Sequence, residues 1–208
     1  MQISRRTLIQ GATALAGSGL VGARAQGQTI KIGVLSDFSG IYIDLLGPGG
    51  VACVQQAVAD FAPEKHGFNV EVVFADHQNK PDVGASVARR WYEAEGVDMV
   101  IGLPNSSVAL ALAFVTKEKN KACIGTAVTS MDFTGAQCTP NTINWTYDAY
   151  MLAKATGTET VRAGGKTVGN SKYPIGATDY SSFLLAAQAS GADVLGLALG
   201  GSDMVNCL

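Results

Sequence analysis

Between Thr29 and Gly50 the sequence reads TIKIGVLSDFSGIYIDLLGPGG. Ile30, Ile32 and Val34 alternate with Lys31 and Gly33, and Leu35 follows, which is the two-residue period of a strand. The strand runs into a polar loop, Ser36-Asp37-Phe38-Ser39-Gly40, and Gly47-Pro48-Gly49-Gly50 then leads into a helical run. Strand, serine-glycine loop and helix make the opening unit of a doubly wound α/β domain. Such domains bind ligands off the carboxyl ends of their strands.

The unit repeats. Val51, Val54, Val58 and Phe61 recur at helical spacing over 51–62, and Pro63 and Gly67 end that helix. Phe68 to Ala75 alternates as a second strand, and a loop over 76–82 follows, with Asp82 as the expected cap of a helix over 83–95. Asp98 to Leu103 reads as a buried strand, Pro104-Asn105-Ser106-Ser107 as a loop, and Val108 to Glu118 as a helix. Ala122 to Gly125 and Thr142 to Trp145 are further strands, separated by a long polar loop. Right-handed crossovers make this sheet parallel.

Beyond it, Asp148 to Ala163 reads as a helix closed by Gly164-Gly165, and Lys166 to Tyr173 as a weak strand. Tyr180 to Ser190 reads as a helix and Ala192 to Leu199 as a strongly apolar strand. A last helix opens at Gly200-Gly201-Ser202, and the sequence stops inside it, which reads as a truncation. Residues 26–145 form the expected first lobe and 146–208 a partial second one.

Composition narrows the function. A chain of 208 residues that is 47% hydrophobic and 15% charged, with a formal net charge of −2, has no basic face for nucleic acid. Residues 1–25 read as an export leader. Arg5-Arg6 precede a mildly apolar run, Leu8 to Gly22, and Ala23-Arg24-Ala25 suits a signal peptidase. The paired arginines resemble a twin-arginine signal, with an ordinary secretion signal as the alternative. Glycines and Gln10 make the run too polar and short for a membrane span. Cleavage near Ala25 makes the mature chain more acidic and places it in the periplasm.

The four cysteines fit no zinc or redox spacing. Cys53 and Cys123 have apolar neighbours and read as inert core residues, while Cys138, in a polar loop, is the best disulfide candidate.

The candidate chemistry lies in three hydroxyl-rich loops, Ser36 to Gly40 (with Ser39), Asn105 to Ser107 and Thr126 to Ser130. Ser106 and Ser107 stand at a helix start, where unpaired N–H groups favour a carboxylate. Read by itself, Ser106 is equally a plain helix cap. Tyr42 is either a ligand-facing aromatic or a ring packed on its own lobe, and Phe38 packs. No catalytic constellation stands out. His66 and His77 read as polar surface, and Asp37 and Asp44 as solvated loop acids. There is no nucleophile elbow, dinucleotide fingerprint or phosphate-binding loop. No cofactor or metal is expected.

The leader, TIKIGVLSDFSG, DMVIGLPNSSVALAL and GTAVTSMDFTG together resemble the branched-chain-amino-acid type of periplasmic substrate-binding protein of ABC transporters. CTPNTINWTYDAYMLA looks most like a subgroup that takes other small carboxylates, including aromatic acids. The resemblance implies a type 1 periplasmic-binding-protein fold, with a complete first doubly wound lobe and an incomplete second. It implies a monomer that captures a small carboxylate between lobes and delivers it to an inner-membrane permease, breaking no bond. Ser106, with Ser107 beside it, matches the carboxylate-binding serine. Ala127 and Thr129 match the carbonyl and hydroxyl that hold an amino group. Tyr42 falls in the loop lining the cleft, and the 142–147 stretch matches the first crossing between lobes.

Members of that family run well beyond this length, and a strand and helix are expected to be missing after Lys166-Thr167. The resemblance also implies a partner for Cys138 near the C-terminus of longer members. That partner is absent here, and Cys207 is a poor substitute by position. Three rivals stand beside the importer reading: a ligand-sensing receptor domain on the same fold, a doubly wound enzyme, and a non-functional remnant.

Overall fold

The computed structural model describes residues 27–174, 177–199 and 202–207. The expected leader, residues 1–25, lies outside these, as do Gly200 and Gly201. The order is β1 (Thr29–Ser36), α1 (Ile43–Leu46), α2 (Pro48–Phe61), β2 (Asn69–Asp76), α3 (Pro81–Glu93), β3 (Met99–Gly102), α4 (Ser106–Lys119), β4 (Ala122–Gly125) and β5 (Thr142–Asn144). Beyond the sheet come α5 (Ala149–Arg162), α6 (Ser181–Ala189) and α7 (Ser202–Cys207). Short 3₁₀ turns occupy Pro63–His66 and Met131–Phe133.

The five strands form one sheet in the order β2-β1-β3-β4-β5, and every pairing is parallel. The chain winds from β1 to β2 on one side and then crosses back to place β3 on the other. The reversal falls between β1 and β3, so the loops after those strands flank the crevice where a doubly wound sheet binds its ligand.

The two faces of the sheet are covered unequally. Leu35, Val100 and Cys123 point to a face packed under α3 and α4, where Val87, Trp91, Tyr92, Val97, Val108 and Leu112 build the core. Packing there is close. A Cβ on Gly33 would lie 2.5 Å from the Trp91 ring, and one on Gly84 would lie 2.6 Å from Val108, so these glycines set the sheet–helix and helix–helix approach. On the other face, Phe74, Val34, Ile101, Ile124 and Ile143 form one apolar row across all five strands. Among the described residues α2 lies over its β1–β2 end. Val34 is buried, but Phe74 is 58% exposed and Ile143 49%. An apolar pocket of about 250 Å³ opens there, lined by Val34, Leu46, Cys53, Val54, Ala57 and Ile101 among others.

Several expectations need correction. Cys53 is exposed rather than a core residue, because it lies on the outer side of α2, which buries only Val51. Cys123 is buried as expected, and burial pushes its thiol up to about 12. Cys138 is exposed and unpaired. Asp82 does not cap α3. The helix starts earlier, at Pro81, with Lys80 at the cap position and no side-chain cap bond, since proline suits the first helical position. Residues 166–173 and 192–199 form no strands, and Val194 is 77% exposed. A strand exists only by hydrogen bonding to a neighbour, and among the described residues neither run has one. α5 starts as expected, with the Asp148 side chain accepting from Met151 N–H. Among the described residues no helix is long and apolar enough to cross a membrane.

Two outcomes follow from this packing. Gly33→Ala should destabilise the chain by about 1–3 kcal/mol by forcing the Trp91 ring aside, read as a lower urea midpoint. A thiol reagent should label Cys53 and Cys138 quickly and Cys123 only on unfolding, as mass mapping of the labelled peptides would show.

Candidate functional site

The carboxyl ends of β1, β2, β3 and β4 are joined by a continuous polar network. Its centre is Asp37, which is fully buried rather than a solvated loop acid. Its carboxylate accepts from the N–H groups of Ser39 (3.3 Å), Gly40 (2.7 Å) and Tyr42 (2.9 Å), and from the Asn79 side-chain amide. A buried carboxylate is tolerated where several donors surround it. Gly40 is obligatory here, because a Cβ would lie 2.6 Å from Asn79 Nδ2 and 2.8 Å from Asp37 Oδ2. Asn79 has a left-handed backbone (φ 55°), which asparagine tolerates. Its side-chain oxygen accepts from Asn105 Nδ2 at 3.3 Å. Asn105 in turn caps α4, accepting from Ser107 N–H at 2.9 Å and Val108 N–H at 3.2 Å.

That cap changes the reading of Ser106. Asn105 supplies the cap bonds, so the Ser106 hydroxyl is not committed to them. Instead Ser106 Oγ lies 3.4 Å from Thr129 Oγ1 and accepts from Ser130 N–H at 3.2 Å. Both residues are half-buried. The chain reaches this position through Leu103, a buried leucine with φ 69°, a costly conformation for a non-glycine residue. It is held there by Leu103 N–H donating to the Leu35 carbonyl at 3.1 Å.

The remaining candidates divide. Ala127 is buried next to Thr129, and the Thr129 carbonyl is taken by Ala149 N–H at 2.8 Å. Ser107 is exposed one residue into α4. Ser39 is exposed and directed away from Ser106, donating from Oγ to Asp76 Oδ2 at 2.6 Å. Tyr42 is half-buried, and its hydroxyl is held above the ordinary value by burial, then by Asp203, Tyr173 and Asp37. Phe38 packs on Phe74 with ring centroids 5.5 Å apart.

Sequence reasoning missed Asn79, Asn105 and His77. His77 is fully buried rather than polar surface. Its Nδ1 accepts from Asn79 N–H at 3.0 Å, and its backbone N–H donates to Ser36 at 2.9 Å. Burial lowers its pKa, against the opposing pull of Asp37 and Asp76. The signal for the two asparagines was their place, one in the loop after β2 and one in the loop after β3, the strands on either side of β1. Nothing in the sequence marked His77. Among the described residues no group of three or more His, Cys, Asp or Glu side chains could hold a metal.

The sequence matches the model of the periplasmic binding protein family over residues 29–168 and 159–208. The chain belongs to the periplasmic binding protein family. A periplasmic binding protein from Burkholderia mallei is 39% identical with a TM-score of 0.79, covering 86% of this chain and 56% of its own. A branched-chain amino acid ABC transporter periplasmic ligand-binding protein from Burkholderia xenovorans LB400 is 32% identical with a TM-score of 0.67, covering 85% and 55%. A solute-binding protein of an ABC transporter from R. palustris, solved in complex with 4-hydroxybenzoate, shares the fold at 22% identity and a TM-score of 0.73, covering 86% and 56%. The chain thus spans a little over half the length of these relatives and carries part of the type 1 periplasmic binding fold. No curated protein matches. The two matched stretches meet at 159–168, where the sequence reading expects family elements to be missing.

The buried histidine gives a pH signature. The folded state holds His77 below its ordinary value of 6.5, so below that pH the unfolded chain binds the extra proton first. Stability should therefore fall as pH drops below 6.5, until the folded-state pKa is passed, and His77→Gln should flatten that slope in urea titrations. Asp76 acts in a separate, more acidic window. Burial works to raise its pKa, but bonds from Ser39, Gln78 and Phe38 hold it below 3.8, and its contribution is lost only as pH falls past that value.

Proposed function

We propose that this chain is an exported solute-binding protein of an ABC importer, which captures a small carboxylate in the periplasm after its leader is cleaved near Ala25. Residues 26–145 act as the first ligand-gripping lobe and 146–208 as part of the second. The observation that carries this reading is the Ser106–Thr129 pair. Two hydroxyls 3.4 Å apart stand beside the crevice between β1 and β3, at the start of α4, with Asn105 providing the cap. A helix start and paired hydroxyl donors suit a carboxylate, and nothing in the arrangement supplies a nucleophile with a base. In this reading Ser107 and the Ala127 backbone border the same spot, and Tyr42 lines the cleft from the β1 loop. Ser39 acts through Asp76, shaping the β1 loop rather than touching ligand.

The relatives support this chemistry. R. palustris proteins of this fold are solved with 4-hydroxybenzoate and with benzoate, and the B. xenovorans protein is named for branched-chain amino acids. The reaction is binding and release to a permease in the inner membrane, with no cofactor and no bond broken. The chain acts as a monomer.

Thermal unfolding of the full chain with a panel of branched-chain, aromatic and aliphatic carboxylates tests the reading. One class should raise Tm, because a ligand that binds only the folded state stabilises it. Ser106→Ala with Thr129→Ala should weaken that ligand by about tenfold to a hundredfold, the loss expected for hydrogen bonds to a charged group. An unchanged Kd in the double variant, or no Tm shift with any carboxylate, overturns the proposal.

A further inference from the structure

His77 is fully buried, and it is bonded directly to the network that supports the hydroxyl pair. Its Nδ1 accepts from Asn79 N–H at 3.0 Å, which requires a lone pair on that nitrogen. The neutral ring therefore carries its proton on Nε2, an atom with no hydrogen-bond partner among the described residues. A second proton can enter only at Nδ1, where it meets the Asn79 N–H, donor against donor. The charges that act on the ring are Asp37, from the β1 loop, and Asp76, which precedes it. Both carboxylates already accept other bonds, Asp37 from the β1 loop and Asn79, Asp76 from Ser39, Phe38 and Gln78. α3 meets the histidine at Gly84, where a Cβ would lie 3.6 Å from His77 Cβ, and α4 presents Val108 behind that glycine. Lys80 and Asp82, the charged residues at the start of α3, are exposed.

The bond to Nδ1 holds a strained turn. Gln78 and Asn79 both have left-handed backbones, with φ 53° and 55°, a costly pair for residues other than glycine. Three acceptors fix them: Asp76 for Gln78 N–H at 2.7 Å, His77 Nδ1 for Asn79 N–H, and the His77 carbonyl for Lys80 N–H at 2.9 Å. Of these, only the imidazole ordinarily titrates near neutral pH. Asn79 in turn bridges Asp37 and Asn105, and Asn105 is the cap that leaves the Ser106 hydroxyl to Thr129.

We propose that His77 is a positioning residue for the carboxylate grip: its Nδ1 lone pair holds the Gln78–Asn79 turn, and a proton on that nitrogen releases the turn and loosens the Ser106–Thr129 pair. The proposal rests on the carboxylate role of those two hydroxyls. Proton and ligand then oppose each other. A bound carboxylate holds the ring neutral, and protonation of the ring weakens binding by the same factor. Burial keeps the folded-state ring below 6.5, so affinity is full above that pH and falls once the folded-state value is passed.

The test is calorimetric binding of benzoate and of L-leucine to the full chain at about pH 8 and about pH 5.5, on either side of the histidine range. Circular dichroism at each pH confirms that the chain is folded. His77→Asn puts an oxygen that does not titrate where Nδ1 lay, and His77→Leu removes the acceptor. The Kd of the parent chain should rise about threefold to tenfold on acidification, within the limit of tenfold per pH unit for one linked proton. His77→Asn should bind equally at both pH values, and His77→Leu should bind more weakly than His77→Asn at the higher one. If the leucine variant fails to fold, the asparagine variant decides. A parent Kd that is the same at both pH values, a pH dependence that survives in His77→Asn, or equal binding by a folded His77→Leu overturns the positioning role and leaves the carboxylate site standing. If neither probe binds the parent chain at about pH 8, the carboxylate reading falls for these two ligand classes and the positioning role falls with it.

Discussion

The site edge depends on one buried charge. Asp37 stands at the tip of β1 with its carboxylate out of water, a placement that costs several kcal/mol unless donors replace the lost hydration. The loop N–H groups of Ser39, Gly40 and Tyr42 and the Asn79 amide replace it. Collecting them forces the β1 loop into a tight arch, requires Gly40 at its apex, and docks the β2 loop against it. Asn79, so placed, positions Asn105, and Asn105 caps α4. The freedom of the Ser106 hydroxyl is thus the last step of a chain of bonds that begins at Asp37.

The sheet is built to support that edge from one side. α3 and α4 pack on Leu35, Val100 and Cys123 at near-contact distances, so the strands and the α4 start are fixed together. The opposite row, Phe74 to Ile143, is also apolar, but among the described residues α2 covers only its β1–β2 end and Phe74 and Ile143 stay exposed. The same asymmetry leaves Cys53 exposed and opens the pocket beneath it. It also explains why the residues that decide the site come from loops that the well-packed face orders.

Much of the first lobe was legible because its signals are local. Alternation in 29–35 and 68–75, helical spacing along α3 and α4, and proline and glycine punctuation each act over a few residues, and each element appeared within a few residues of its expected place. The parallel order followed from crossover handedness. The hydroxyl loops were legible as a set for the same reason, since parallel strands deliver their ends to one edge. What could not be read was contact across the sequence. Nothing near Asp37 reveals that Asn79 lies against it, and nothing near His77 reveals that it is covered. Ser106 looked like a cap because serine prefers that position, yet Asn105 fills it. Residues 192–199 looked like a strand because they are apolar, but apolarity sets burial, not pairing. Without a neighbouring strand that run stays irregular and exposed.

The first lobe and the C-terminal segment therefore differ in what holds them. The Asp37–Asn79–Asn105 network and the Ser106–Thr129 pair lie wholly within residues 37–130, on elements that share one packed face. Their geometry is set by the fold itself, so it needs no ordering by a bound molecule. In the C-terminal segment Tyr173 packs on Tyr180 and edge-on to Phe183, while α5, which precedes them, is exposed along its length. Low contact density of that kind marks the part of a structure that moves at least cost.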